Sequence, residues 1–285
     1  MSLLRKIISR YIVARWQLVW VDNSIEELIA GQPLRWQPIH NPYEDCWFAD
    51  PFIVEADADR VLLLAEEYSL RTCRGHVALI TVCRRQRAIV DRRVVWQDDS
   101  HYSFPFIVGQ DVRYIDFMPE NHDNGRLAIY RYDRQEGTAE MRECVAHEPL
   151  TDAVMWQGKL WATHEDDRFW DRLGIYAGGA DGYEKEGEQV FRENIARNAG
   201  AFFEVGGQTY RPAQVCNKMY GEGISIQRVE TIGGQLRMEE VRRFSVGDGM
   251  HSLAVAADVV IADRKLFWWP WLSKTTYRLL GKSDR

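Results

Sequence analysis

The chain is poor in the features that would place it outside ordinary reduced globular proteins. Its five cysteines, Cys46, Cys73, Cys83, Cys144 and Cys216, are odd in number, scattered and without a CxxC pair. That argues against a disulfide frame or a cysteine zinc site and fits reduced core thiols better. No Pro-, Gly- or Ser-rich linker divides the 285 residues, so one domain over 1–285 is expected. A glycine-rich phosphate loop, a Ser-His-Asp spacing and a zinc pattern are all missing, and neither cofactor nor metal is expected. No secretory signal with a cleavage site opens the chain, and a cytoplasmic location is the expectation.

Basic charge is scarce in the body. Residues 1–16 carry +4 and residues 264–285 carry +5, so with a total of −6 the stretch 17–263 carries −15. A body of that sign excludes nucleic acid as the expected partner, because phosphate backbones need clustered cations. The two basic ends are also greasy. Leu3, Leu4, Ile7, Ile8, Tyr11 and Ile12 fall at helical spacing, making 1–16 an amphipathic segment, and the tail 264–285 contains FWWPWLSKTTYRLL. Neither reaches the roughly 20 apolar residues needed to span a bilayer. Each could lie on an anionic membrane face, or pack on the protein wall or a dimer contact.

What is abundant is β-forming sequence, with 46% hydrophobic residues and 11 tryptophans to build a core. Five short apolar strands open behind small polar or proline-containing signals near positions 50, 104, 152, 198 and 251: ADPFIVE, SFPFIVG, TDAVMWQ, RNAGAFFEV and MHSLAVA. Second strands follow in VLLLAEE, VRYIDFMPE, KLWATHE and QTYRPAQ, with third strands after glycine or charged turns. A repeat of 46 to 54 residues fits a four-stranded blade turning about a central axis. The fold class is therefore all-β, a five-bladed β-propeller with short helical or irregular terminal extensions. An ordinary β-sandwich, which also spaces its strands evenly, is the alternative.

Residues able to do chemistry recur at equivalent places in these repeats. Asp50, Asp152 and His251 open blades, while Glu66, Glu67, Glu120, His164 and Glu165 end second strands. Carboxylates turned toward one polar axis are the arrangement from which glycosyl transfer draws an acid and a base or nucleophile. Asp50, Glu120 and Asp152 are the candidate catalytic residues. Glu67, His164, Arg197, Arg211, Gln214 and His251 are the candidate sugar- or sugar-phosphate-binding residues.

The strings NPYEDCWFADPFIVE, SFPFIV followed by MPE, ARNAG and YRPAQ resemble the propeller domain at the N-terminal side of plant glucosamine inositolphosphorylceramide transferases and of stand-alone bacterial proteins. That domain is similar in turn to the five-bladed superfamily of arabinanases, levansucrases and invertases. The resemblance, from about Trp36 to Asp263, implies a five-bladed fold and sugar-related substrates. It further implies that Asp50 acts as base or nucleophile and that Asp152 orients and tunes. The superfamily's general acid is a glutamate of the fourth blade, where this chain offers Arg197, Asn198, Arg211 and Gln214 at the matching positions. That departure puts ordinary hydrolysis in doubt. Two arginines would suit a phosphate, a diphosphate or a carboxylate, or else serve inter-blade salt bridges with Glu120 or Asp152. Three functions follow: a glycosyltransferase-like enzyme using a phosphate-activated sugar or glycolipid, a glycoside hydrolase with Glu120 as acid, or a non-catalytic sugar-binding propeller.

Overall fold

A computed structural model describes residues 14–267 except 122, 168, 180, 181 and 234, and the backbone alone at 235. Twenty strands and one short helix occur among these residues. First come β1 (Arg15–Val21), α1 (Ile25–Ile29) and β2 (Trp36–Pro38). Blade I is β3 (Cys46–Ala56), β4 (Arg60–Ser69), β5 (Arg74–Cys83) and β6 (Ala88–Trp96). Blade II is β7 (Tyr102–Gln110), β8 (Tyr114–Asn121), β9 (Leu127–Asp133) and β10 (Thr138–Ala146). Blade III is β11 (Leu150–Trp156), β12 (Lys159–His164), β13 (Arg172–Gly179) and β14 (Gly182–Val190). Blade IV is β15 (Phe203–Val205), β16 (Gln208–Val215), β17 (Gly223–Ile232) and β18 (Gln235–Phe244). Blade V begins with β19 (Leu253–Ala256) and β20 (Val259–Leu266), and its sheet order is β19-β20-β1-β2.

The five-bladed propeller expected from the repeat is present, and the fifth blade is closed by the chain's first strands. Register runs from Arg15↔Leu266 to Val21↔Val260. Arg15 and Trp16 therefore belong to a blade and not to the amphipathic segment of 1–16, and Arg264–Leu266 belong to β20 and not to the basic tail. Residues 1–13 and 268–285 lie outside the described residues. Among the described residues no helix is long and apolar enough to cross a membrane.

Strands such as β4 read as continuous apolar runs because each blade is buried between two neighbours. Leu63, Leu64 and Ala65 are all fully buried. The core lies between blade faces. One cluster spans blades I to III around Phe52, Phe104, Phe117 and Tyr130, and two more flank blade V. The innermost strand of blade IV departs from the expected RNAGAFFEV: only Phe203–Val205 is strand, and Asn198 makes an isolated bridge to Ala213. Gly200, at φ +153°, is needed there, since a Cβ would lie 2.2 Å from the Leu253 carbonyl oxygen of blade V.

One local device aims the site. In β3, β7 and β11 the register slips at Ala49/Phe52, Ser103/Phe106 and Thr151/Val154. At each slip a non-glycine residue turns left-handed: Asp50 at φ 49°, Phe104 at 45° and Asp152 at 48°. Such β-bulges re-aim a side chain and free a backbone N–H from the ladder. A left-handed bulky residue such as Phe104 costs about 1 to 3 kcal/mol and persists only where its surroundings over-determine it.

Candidate functional site

The freed bulge N–H groups are answered across blades, and the answering groups are the acidic side chains at the axis. Asp50 N–H donates to Asp263 Oδ2 of blade V at 3.1 Å. Phe104 N–H donates to Asp50 Oδ2 at 3.0 Å, and Asp152 N–H to Glu120 Oε2 at 2.9 Å. Asn198 Nδ2 donates to the Asp152 carbonyl at 2.7 Å, and Leu253 N–H to the Ala199 carbonyl at 2.6 Å. Every blade is thus tied to the next around the axis. The carboxylates that could do chemistry are also the groups that close the ring.

By strand pairing, the second-strand position facing the axis is Glu66 in blade I, Glu120 in blade II, Thr163 in blade III, Gln214 in blade IV and Asp263 in blade V. All five are buried. Asp152 Oδ2 accepts from Arg197 Nε at 2.5 Å and from Gln214 Nε2 at 3.1 Å. Asp50 Oδ1 accepts from Ser252 Oγ at 2.5 Å and lies 3.5 Å from His251 Nε2. His251 Nδ1 pairs with Asp263 Oδ2 at 2.7 Å. Asp263 also accepts both the His251 and Ser252 backbone N–H groups on Oδ1 at 3.0 Å. Donor atoms of Asp50, His251 and Asp263 all lie within 4.8 Å of one another. A metal ion there would have to displace bonds that already engage both Asp263 oxygens.

Burial dominates the electrostatics. It pushes Asp50 and Asp152 above the ordinary carboxylate range, opposed by His251 for the first and by Arg197 for the second. Burial raises Glu120 to about 7 against the pull of Arg197 and the Asp152 N–H. Burial disfavours the charged forms of Arg197 and His251, but Asp152 holds Arg197 well above its usual value, and Asp263 with Asp50 raises His251. The mouth of the cluster is aromatic. Trp16 stacks on His251 at 3.7 Å and 8°, Tyr220 meets the same ring edge-on at 5.4 Å, and Arg197 lies about 5 Å from both the Trp170 and Tyr220 rings. Lys265, fully buried, donates to the Tyr220 carbonyl at 2.5 Å beneath the Trp16 ring. A cavity of about 630 Å³ at the seam of blades V and I is walled by Trp16, Tyr43, Trp47 and Phe267. A smaller one of about 200 Å³ sits further along the axis between Phe52, Phe106 and Ala254. Neither of these two cavities is lined by Asp50 or Asp152, and both carboxylates are buried, with Trp16, Trp170 and Tyr220 beside the His251 and Arg197 that they pair with.

Of the residues singled out in the sequence, Asp50, Glu120, Asp152, Arg197, Gln214 and His251 meet at this cluster. Three do not. Glu67 points to the opposite face of β4, 3.7 Å from Arg92 and beside Cys46, because neighbouring strand residues face opposite ways and Glu66 takes the axial side. His164 stands half-exposed at the end of β12, accepting from the Asp166 N–H, while Thr163 faces Thr151 inside. Arg211 is wholly buried but turned into blade IV: Nε donates to Asn198 Oδ1 at 2.7 Å, one terminal nitrogen to Gln227 Oε1 at 2.8 Å, and the other to the Ala196 carbonyl. Its donors hold the backbone and not the channel. Sequence reasoning also missed Ser252, Asp263, Trp16, Trp170 and Tyr220. Ser252 directly follows His251, and Asp263 sits where its repeat partners Glu66 and Glu120 sit, a signal that a second-strand alignment of blade V would have exposed.

Comparisons agree with this architecture. The chain is similar to glucosamine inositolphosphorylceramide transferase 1 of Oryza sativa subsp. indica, 26% identical over 236 residues, which are 75% of this chain and 30% of that protein. The Arabidopsis thaliana protein of the same name is 25% identical over 240 residues, 73% of this chain and 30% of its own length. This chain thus spans about a third of the relatives it matches. Among solved structures, the fold is similar to exo-β-1,3-galactanase from Phanerochaete chrysosporium bound to β-1,3-galactotriose, with a TM-score of 0.51 and 11% identity over 77% of this chain and 57% of that one. Residues 37–249 match the family described as glucosamine inositolphosphorylceramide transferase 1, N-terminal, and the chain belongs to that family.

Proposed function

We propose that this propeller carries out glycosyl transfer at the axial carboxylates, taking a phosphate-activated sugar or a glycolipid in polysaccharide or glycolipid assembly. The observation that carries the reading is the convergence of Asp50 and Asp152 from bulges in alternate blades, with Glu120 and the Arg197 cation beside them. Asp50 already accepts a hydroxyl from Ser252, so an acceptor hydroxyl could take the same lone pair and lose its proton there. Arg197 keeps Asp152 ionised beside the site of developing positive charge on the sugar. The transferase names of the plant relatives support the reading, although only a third of their length is matched. A hydrolytic reading draws on Glu120, whose pKa of about 7 suits a general acid.

The test is calorimetric binding of a nucleoside-diphosphate sugar, of the same sugar free, and of a neutral oligosaccharide, to the wild type and to Asp50→Asn. Diphosphate-dependent binding supports transfer, and oligosaccharide cleavage supports hydrolysis. Absence of binding by all three ligands overturns both.

The same reading places the protein on the cytoplasmic face of an anionic membrane. It is supported by the basic, tryptophan-rich composition of 1–13 and 268–285, which include Arg5, Arg10, Trp268, Trp269, Trp271 and Lys274.

A further inference from the structure

Five carboxyl groups are buried around the axis: Asp50, Glu66, Glu120, Asp152 and Asp263. Among the described residues, the buried cations near them are Arg197, His251, Lys265 beneath the aromatic side chains, and Arg211 turned into blade IV but within the field of Asp152. Among the described residues the anions outnumber the cations, and in a water-poor site an uncompensated buried charge costs several kcal/mol, so the group neutralises instead. The hydrogen bonds say which ones keep their charge. Asp263 takes three backbone N–H groups and the His251 ring. Asp152 takes Arg197 and Gln214. Asp50 takes the Ser252 hydroxyl and the Phe104 N–H beside His251. Glu120 takes the Asp152 N–H and feels Arg197, and it keeps its charge only above the value of about 7 to which burial pushes it.

Glu66 stands apart. It is 5% exposed, and the carboxyl groups facing it are Asp50 from β3, Glu120 from β8 and Asp263 from β20. Its neighbour on the remaining side is His101, whose Nε2 lies 3.4 Å from Glu66 Oε1. His101 Nδ1 accepts the Gly75 N–H at 3.0 Å, so the ring's proton sits on Nε2 and points at Oε1. Gly75 makes room for this seat: a Cβ there would lie 2.6 Å from Glu66 Oε1 and 2.3 Å from the Tyr102 carbonyl oxygen.

We propose that Glu66 is the neutral carboxylic acid of the site, its proton on Oε2, and that it supplies the proton for which blade IV brings no carboxylate to the axis among the described residues. The proposal rests on the glycosyl-transfer reading for its catalytic part. In that step the bond from the anomeric carbon to the departing oxygen breaks as the acceptor oxygen bonds to that carbon; its electron pair goes to the departing oxygen, and the Glu66 proton forms the new O–H. Glu66 is left as a carboxylate facing the His101 N–H. The proton that the acceptor hydroxyl gives to Asp50 restores the count when it returns to Glu66 through water. A stored proton opens the site to glycosides whose leaving oxygen must be protonated, besides phosphate esters that leave unaided. His101 is a positioning residue.

Infrared spectroscopy of protein labelled with ¹³C at the glutamate carboxyls tests this, at a pH a unit or more above the value of about 7 to which Glu120 is pushed. A protonated-carboxyl C=O band is expected in the wild type and in Glu120→Gln, and it should be absent in Glu66→Gln. Loss of the band in Glu120→Gln with retention in Glu66→Gln, or no band in any protein, overturns the proposal. Should Glu66→Gln fail to fold, ¹³C NMR of the wild type decides. One glutamate carboxyl carbon is expected to keep the chemical shift of the acid form up to that pH, and uniform titration of all of them overturns the proposal. Sugar binding without the band would sink Glu66 alone, whereas the band without sugar binding would sink only its catalytic use.

Discussion

At the scale of single residues, the difference between Arg197 and Arg211 decides what each substitution should do. Arg197 pairs with Asp152 at the site, whereas removal of Arg211 leaves Asn198 Oδ1, Gln227 Oε1 and the Ile195 and Ala196 carbonyls buried without their donor. Arg211→Ala should therefore lower unfolding free energy by about 3 kcal/mol or more, with ligand affinity per folded molecule unchanged. Denaturant titration alongside calorimetry checks both halves, and an affinity loss at normal stability would put Arg211 back in the channel. Glu120 gives a signed pH effect. Its pKa is raised on folding from 4.5 to about 7, so the stability it contributes is present below 4.5 and is lost as pH rises through about 7. Glu120→Gln removes that loss. The variant should gain on the wild type by up to about 3 kcal/mol between the two ends of this window, measurable as diverging Tm values. Parallel pH profiles would contradict the shift.

At the scale of elements, Asp50 and Asp152 were legible because they open repeats, and Glu120 because Pro-Glu ends a second strand as Glu66 and Glu67 do. Which of Glu66 and Glu67 faces the axis depends on the register of β4 against a bulged β3, and that bulge leaves no mark in composition. Arg211 was misplaced for the same reason. A strand residue's face follows from its pairing, and β16 pairs with only three residues of β15. Blade closure by β1 was the larger omission, since RWQLVWV lies more than 200 residues from its partner β20. Trp16, Leu18, Val19, Trp20 and Val21 are all buried. At about 1.5 to 3 kcal/mol for each buried side chain, their loss is as large as the 5 to 15 kcal/mol that typically holds a domain together. Removing residues 1–13 should leave a cooperative thermal transition, and removing 1–21 should abolish it. A folded protein without β1 would mean that blade V closes another way.

At the scale of the whole molecule, the five-fold repeat made the architecture legible, while the site's closed state was not. The aromatic contacts of Trp16 with His251 and of Trp170 and Tyr220 with Arg197 emerge only when strand β1 and loops of blades III and IV meet. Replacing Tyr220 with Ala should uncover Arg197 and speed ligand association in stopped-flow fluorescence, and an unchanged rate would mean access by another route. The terminal segments make a separate forecast. Anionic vesicles should sediment the full chain at low salt and should not sediment a version lacking 1–13 and 268–285, which retains the described blades. Equal recovery with neutral vesicles would remove the membrane proposal.

The central claim is that the axial carboxylate ring is a sugar-processing site. Titration of the wild type and Asp50→Asn with a nucleoside-diphosphate sugar tests it most directly, with circular dichroism confirming that both are folded. The wild type should bind and turn over the donor in the presence of an acceptor alcohol, and the variant should bind while losing turnover by about 100-fold or more, as expected of a missing catalytic base. Equal turnover by the two folded proteins, or no binding by either, would contradict it.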